Sequence, residues 1–516
     1  MSQDMNAVGA IDIGSNGVRL RIGSLDNNGK LLIVENFRES IRLGLDVFSS
    51  KTLSEESIER LSATLEQFSR ILARNGVKEY RAIATAALRE AKNREVAIER
   101  VKRRSGIIVE VIGGDEEAGL IAEAVMHKVD VSKKCAMFID VGGGSVEISI
   151  VDDGSVISSE SVKMGTVRLL QLLGEKKRGQ KIFNRLLEEY TGDLKRQLKR
   201  ELDLKPEFAV GTGGNLDALS DLKRKIIKKG DDSELSLEEL TEILKTLQDF
   251  TVEERMQQFD LREDRADVII PALLVVREIL KATKVNKLLL PRVGLKEGVM
   301  LELLPHSSIN GPLTEGSDQV NEARHRKQVL NFGRELGRKF DIDVNHAKQV
   351  VMLATQIFDE LAVTFKLTPE SRLVLEIAAY LHDIGHAINT NNHHRHSAYI
   401  LKSTPFVGLT PRQKLMVAGV ARYHRKSPPS KEHEEFIALT PADRETVEKL
   451  AAIVRLCEGL DKGHHQSVTN LKISLADTEI KLTLSGDGDL LLERWATAQK
   501  SDLFEQKFSI NVRIQD

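Results

Sequence analysis

The rhythm of apolar and polar positions changes several times along this chain, and each change marks an element. Val8–Ile13, Val18–Leu25 and Leu31–Phe37 are continuous or alternating apolar runs, which predict three strands, the last two joined by a turn at Asn27-Asn28-Gly29. Between Ser54 and Asn75 the apolar residues Ile58, Leu61, Leu65, Phe68, Ile71 and Leu72 recur at helical spacing, with Ser54 placed to cap the helix. A strand at Tyr80–Thr85, a helix at Ala86–Arg103, a strand at Ile107–Ile112 and a helix at Glu116–Lys128 follow. This is an α/β order with an antiparallel opening, not strict alternation.

The pattern then restarts. Ala136–Asp140, Glu147–Val151 and Val156–Val162 predict strands, and Thr166–Leu173 and Lys181–Leu202 predict helices. Phe208–Gly211 reads as a strand entering the turn Gly211–Asn215. Helices at Leu237–Phe250, Thr251–Gln258 and Arg265–Lys284 lead to a strand at Lys287–Pro291. Pro305–Ser317, rich in Ser, Pro, Gly and Asn, reads as a linker. From Val320 to about Leu460 the period is helical. Leu471–Leu475 and Ile480–Leu484 alternate, a turn falls at Gly486-Asp487-Gly488, and Lys507–Ile514 alternates again, so a small β-rich module is expected at the end. The expected domains are 1–130, 131–305, 318–465 and 466–516.

A chain of 516 residues exceeds what one core can serve. Its formal charge of −2 gives no global attraction to nucleic acid, so any anion site must be local. Cys135 and Cys457 are the only cysteines, in neither a disulfide framework nor a metal-binding spacing. The start of the chain lacks the basic-then-apolar layout of a secretory signal, and no apolar run reaches the ~18 residues of a spanning helix. A cytoplasmic protein with no transmembrane segment and no nucleic-acid partner is expected. The basic stretches Glu175–Lys205 and Lys223–Lys229 are interleaved with acids and read first as solvated helix faces, second as contacts for a long polyanion.

The candidate chemistry lies in a repeat. Ile11-Asp12-Ile13-Gly14-Ser15-Asn16-Gly17-Val18 and Ile139-Asp140-Val141-Gly142-Gly143-Gly144-Ser145-Val146 share one layout: a strand ending in Asp, a tight Gly/Ser turn, a second strand. Such turns aim backbone N–H groups at phosphate oxygens. Two facing hairpins would clamp a polyanion, with Asp12 and Asp140 available to a divalent cation. A second constellation is His346, His382-Asp383 and Asp461. His396 and His424 are candidates for a further metal position, whereas His393-His394 and His464-His465 read as exposed turn residues.

Asp12–Asn16, Thr85–Arg89, Gly114–Ala118, Asp140–Glu147, Met164-Gly165-Thr166 and Arg265-Ala266-Asp267 occur in that order. Together with Arg395–Leu401 and Tyr423–Lys426 they make nearly the whole chain resemble the exopolyphosphatase/guanosine pentaphosphate phosphohydrolase family, of the actin, hexokinase and heat-shock ATPase superfamily. That resemblance implies an α/β fold of two RNase H-like lobes, followed by an all-α HD-type domain and a small β module. It also implies a homodimer acting on inorganic polyphosphate, guanosine pentaphosphate, or both. Glu117 matches the catalytic base position, an acceptor for the proton of the attacking water. Glu147, Asp140 and Asp12 suit Mg²⁺, and Arg89 would supply a fork for the transferring phosphoryl group. Gly14, Ser15, Asn16, Thr85, Gly143, Gly144, Ser145, Gly213, Gly214 and Arg265 would bind phosphate. At the HD site, imidazoles with carboxylates favour Mn²⁺, Fe²⁺, Co²⁺ or Zn²⁺. Asn215 and Gly17 depart mildly from the family pattern. A sugar or small-molecule kinase of the superfamily and a non-catalytic nucleotide sensor are the rival readings.

Overall fold

The computed structural model describes residues 7–26, 31–173, 176–196, 204–304, 317–404, 406, 408–425, 429–430, 433–476, 478–486 and 488–515. They form two compact units, 1–324 and 325–516. The expected turn at Asn27-Asn28-Gly29 and nearly all of the expected linker, 305–316, fall outside the described residues, as does Asp487.

In the first unit, β1 (Val8–Ile13), β2 (Val18–Leu25), β3 (Leu31–Glu39), β4 (Glu79–Ala84) and β5 (Val109–Val111) form one sheet of order β3-β2-β1-β4-β5. β1, β2 and β3 are antiparallel neighbours, and β4 returns parallel to β1. The return needs a crossover, which the helix Glu55–Arg74 supplies; its Ile58, Leu61, Leu65 and Phe68 are buried, and Ser54 accepts from the N–H of Ser57 at 3.2 Å. The second sheet is built from β6 (Cys135–Val141), β7 (Val146–Asp152), β8 (Ser155–Val162), β9 (Phe208–Thr212), β10 (Glu234–Ser236) and β11 (Lys287–Leu289), in the order β10-β11-β9-β6-β7-β8. It repeats the first layout: an antiparallel β6-β7-β8 meander with β9 parallel to β6. The sequence repeat is therefore a structural repeat of two sheets.

Several elements depart from expectation. The helix expected over Ala86–Arg103 is two, Ala86–Glu90 and Arg94–Ser105. Asn93 breaks it, because its amide donates to the carbonyl of Leu53 and accepts from the same residue's N–H, both at 2.9 Å. The helix Leu43–Ser50 was not anticipated, nor were Gly214–Ile226 and Leu295–Leu303. The helix expected at Lys181–Leu202 is seen as Lys176–Arg196, with 197–203 outside the described residues. Lys223 is no solvated charge: it is buried, donating to the carbonyl of Glu234 at 2.8 Å and pairing with Glu239.

The second unit is mainly helical, with Val344–Leu361, Pro369–Leu381, His393–Ser403, Pro411–Tyr423 and Pro441–Leu460 as its long members after Ser317–Lys339. Thr368, Thr410 and Thr440 each cap a helix that begins with Pro. β12 (Val468–Leu475), β13 (Glu479–Gly486) and β14 (Asn511–Gln515) form a three-stranded sheet in that order. The alternation over Lys507–Ile514 does not make one strand. Phe504 and Phe508, one helical turn apart with ring centroids at 4.5 Å, close the helix Asp502–Phe508, and Ser509 at φ 56° ends it before β14. With Leu491–Ala498 also helical, the end of the chain is mixed rather than β-rich.

Candidate active site and candidate metal centre

The two hairpins put their ends on one cleft of about 620 Å³ in the first unit. In each, the turn is closed by one backbone bond, Gly14 N–H to the Gly17 carbonyl at 3.1 Å and Gly142 N–H to the Ser145 carbonyl at 3.0 Å. Antiparallel register then sets Asp12 opposite Arg19, and Asp140 opposite Glu147. The repeat thus places a cation in one copy where the other has an acid. Arg19 donates to Asp12 Oδ2 at 2.7 Å, so this carboxylate has an internal counter-ion that the sequence reading did not give it.

The turns do not stand apart; they touch. A Cβ on Gly143 would lie 3.1 Å from Ser15 Cβ, and one on Gly144 would lie 2.5 Å from Ala86 Cβ. Met164-Gly165-Thr166 packs on the same turn, with Thr166 N–H on the Gly142 carbonyl at 3.0 Å and Val167 N–H on that of Gly143 at 2.9 Å. Any Cβ at Gly165 would meet Gly144 backbone at 2.3 Å, which only glycine avoids. Asn16, through its side-chain amide, donates to the carbonyl of Asp264, Arg38 pairs with Asp264, and Arg42 pairs with Asp267 of the Arg265–Asp267 motif. Gly213, at φ 93°, opens the helix Gly214–Ile226, and Gly214 leaves room for Arg265.

Glu117 lies in the first turn of the helix Gly114–Lys128 and is buried in the cleft wall. Arg89 reaches its Oε2 at 3.4 Å while donating to the Ile112 carbonyl at 2.8 Å. Burial, then the neighbouring Glu147, push Glu117 well above the carboxylate range, against the pull of Arg89. Burial and Asp140 push Glu147 up to about 7, and burial pushes Asp140 up to about 6 although Thr212 donates to it. Ser161 donates to Glu147 Oε1 at 2.8 Å, whereas Glu147 Oε2 is buried with no hydrogen-bond partner among the described residues. Asp140 and Glu147, both held above their usual range, Glu147 with an idle oxygen, and Asp12 on the facing hairpin are an all-oxygen donor set of the kind a hard divalent cation takes, although their ligand atoms do not lie within 4.8 Å of one another here.

Thr85, Gly14, Ser15, Asn16, Gly143, Gly144, Ser145, Gly213, Gly214 and Arg265 all line the cleft. Among the other charged residues of its lining, sequence reasoning missed Arg19, Arg21, Arg38, Asp217 and Lys296. Burial lowers Lys296 to about 8. Arg19 was legible, since aligning the two hairpins puts position 19 on position 147. Lys296 had no such signal.

In the second unit, His346, His382 and Asp383 offer ligand atoms within 4.8 Å of one another, and so do Asp383, His393 and His424. The two sets share Asp383. His393, read from sequence as an exposed turn residue, is buried with its Nε2 at 3.1 Å from Asp383 Oδ1. His394 is buried too, whereas His464 and His465 are exposed as expected, His464 stacking on His346 at 3.7 Å between ring centroids. The mistake arose because a loop-like Asn-Asn-His-His run in fact starts the helix His393–Ser403. His396 belongs to neither set. Nor does Asp461: it holds Nδ1 of His346 at 2.8 Å and accepts from Gln466 N–H at 2.8 Å.

Every histidine of the two sets is oriented through Nδ1. His382 uses the Ala379 carbonyl at 2.8 Å, His424 that of Ala421 at 2.6 Å, His393 that of Thr390 at 3.1 Å, and His346 uses Asp461. All four Nε2 atoms are thereby left pointing towards Asp383, and those of His346 and His382 are buried without a hydrogen bond among the described residues. That is how metal-binding imidazoles are held. Burial lowers His382 to about 4 and His424 well below its ordinary value, keeping both rings neutral and their lone pairs free. Burial raises Asp383, but facing His382, His393 and His424 outweighs it and holds the group well below the carboxylate range.

A family model described as the Ppx/GppA phosphatase family matches residues 24–307, and one described as Ppx/GppA phosphatase, domain III, matches 333–505. The chain is 24% identical over 505 residues to a guanosine-5'-triphosphate,3'-diphosphate pyrophosphatase of Aliivibrio fischeri, covering 96% of this chain and 95% of that protein. Its identity to the protein of the same name from Photobacterium profundum is 25% over 482 residues, covering 92% and 91%. The structure of an exopolyphosphatase from Cytophaga hutchinsonii aligns with a TM-score of 0.53 at 26% identity, over 58% of this chain and 99% of that one. Among the described residues no helix is long and apolar enough to cross a membrane.

Proposed function

Because this chain belongs to the Ppx/GppA phosphatase family, and is therefore a phosphoanhydride hydrolase, we propose that its first unit removes the terminal phosphate from guanosine pentaphosphate, inorganic polyphosphate, or both. The observation that carries this reading is Glu117, buried beside Glu147 and Asp140, in the wall of a cleft that also presents two glycine-rich turns, Arg19, Arg21, Arg265 and Lys296. Such hydrolysis asks for an oriented water, charge neutralisation and little covalent chemistry from the protein. Glu117 accepts the proton of the water as its oxygen bonds to the terminal phosphorus, and the bond from that phosphorus to the bridging oxygen breaks. Its raised pKa makes Glu117 a stronger base than an ordinary carboxylate. Arg89 orients Glu117, while Arg265, Arg21 and Lys296 bind the phosphates behind the one that leaves. Asp140 and Glu147, with Asp12 across the cleft, would hold Mg²⁺, which would neutralise charge on the phosphoryl oxygens. Relatives of nearly the same length named for guanosine pentaphosphate favour the nucleotide as one substrate.

A second reading concerns the other unit. The Nδ1 anchors and idle Nε2 atoms support a metal centre of the HD type, with His346, His382, Asp383, His393 and His424 as ligands and Asp461 steering His346. Imidazole with a shared carboxylate favours Mn²⁺, Fe²⁺, Co²⁺ or Zn²⁺.

A phosphate-release assay on long polyphosphate, short polyphosphate, guanosine pentaphosphate and ATP, with and without a sugar acceptor, tests the first reading. Release without an acceptor is expected. Turnover of ATP only when a sugar is added would make the protein a kinase, and binding without turnover would make it a sensor.

A further inference from the structure

The helical unit contains another cavity, of about 670 Å³, lined by none of the metal-centre histidines. It lies among the helices Ser317–Lys339, Val344–Leu361 and Pro369–Leu381. Its floor is apolar: Leu330, Val351, Met352 and Ile377, with the ring of Tyr380 laid against Gly337, where a Cβ would stand only 3.0 Å from Tyr380 Cε1. Its rim is cationic. Arg334, Arg338 and Lys348 are all exposed on it.

The carboxylate in the lining does not neutralise that rim. Glu376 is engaged by Arg326 and Arg372, and Arg372 is further occupied by Asp359 at 2.7 and 2.8 Å. Arg334 donates to the neutral amide of Asn331 at 3.0 Å. Arg338 meets Glu335 one turn back on an exposed face, a pairing that screens it weakly. Lys348 makes no ion pair among the described residues. Three like charges around an apolar floor repel one another, and an anion between them removes that cost.

We propose that this cavity binds a nucleoside polyphosphate, the phosphates on Arg334, Arg338 and Lys348 and the base on the floor beside Tyr380. The volume falls within the roughly 300–1,000 Å³ usual for small-molecule sites. Guanidinium forks match phosphate geometry, and an aromatic ring on an apolar floor matches the flat face of a base. An inorganic chain would use the rim and leave the floor idle. The site goes beyond the hydrolytic cleft and does not depend on how that cleft works.

Photolabelling of the full chain with 8-azidoguanosine triphosphate, followed by peptide mapping, tests it. Label is expected on peptides carrying Met352 or Tyr380. Arg334→Glu with Lys348→Glu should raise the half-saturating concentration for that label at least tenfold, leaving phosphate release and the thermal midpoint unchanged. Arg334→Gln with Lys348→Gln provides the same comparison should charge reversal unfold the unit. Inorganic tripolyphosphate should displace the label only at concentrations at least tenfold above those of GTP. Label confined to peptides from residues 8–304, equal labelling of the folded variant, or tripolyphosphate competing as well as GTP would each overturn the proposal.

Discussion

Glu147 and Asp140 sit directly opposite each other on β7 and β6, both acids, Glu147 buried and Asp140 half-buried. Like charges so placed oppose folding when ionised. Glu147 titrates at about 7 in the fold and Asp140 at about 6, against roughly 4.3 and 3.9 in an unfolded chain. Between those values the folded state binds more protons than the unfolded one. Their contribution is therefore fully present below about pH 4 and is lost as pH rises through about 7. A divalent cation takes the protons' place and restores it. Scanning calorimetry of the metal-free protein should show the midpoint of the first unit falling from pH 5 to pH 8, with Mg²⁺ raising it more at pH 8. Glu147→Gln should flatten both trends, and an equal gain from Mg²⁺ at both pH values would remove these acids from the cation site. At this scale the sequence revealed residue types at fixed hairpin positions, hence Asp12, Asp140 and Glu147. It hid Thr212 beneath Asp140 and His393 turned inward by the Thr390 carbonyl, and while it grouped Asp461 with His346 it did not show Asp461 as the partner of that ring's Nδ1.

Among elements, the turn Gly142–Ser145 and the helix Thr166–Leu173 work as one piece, since the turn's carbonyls receive the helix's first N–H groups. Gly165→Ala should force them apart, costing about 1–3 kcal/mol as an overpacked contact and lowering turnover, because the shifted turn carries Glu147 with it. Gly192→Ala is the control: its Cβ would come no nearer than 3.8 Å to Arg196, so urea unfolding should show no loss, or a gain of about 0.5–1 kcal/mol. If Gly165→Ala matches wild type in both urea midpoint and turnover, the coupling of turn to helix is wrong. Long amphipathic helices such as Glu55–Arg74 were legible because their stripe and cap are local. Gly214–Ile226 was not, since its start is a Gly-Gly pair that reads as a turn, and the break at Asn93 was hidden because its cause, Leu53, lies forty residues upstream.

For the whole molecule, each unit carries its own constellation, so the two should fail separately. Purified protein loaded with Mn²⁺ should retain metal through dialysis, and His382→Ala with Asp383→Ala should lose it by elemental analysis while polyphosphate hydrolysis largely survives. Metal loss together with complete loss of hydrolysis in a folded protein would place the chemistry in the wrong unit. The α/β class of the first unit and its repeat of two sheets were readable because the repeat is written in the sequence, whereas the helices Leu491–Ala498 and Asp502–Phe508 in the expected β-rich end were not. The pairing of His393 and His424 around Asp383 was not, because it joins the starts and ends of separate helices. Whether the buried Glu117 takes the proton of the attacking water is tested by steady-state phosphate release by Glu117→Gln beside wild type. The amide keeps the volume and the contact with Arg89 but cannot take the proton, so kcat should fall by about 10²–10⁴-fold with KM little changed. Near-wild-type kcat in the folded variant would contradict the account and move the base to Glu147.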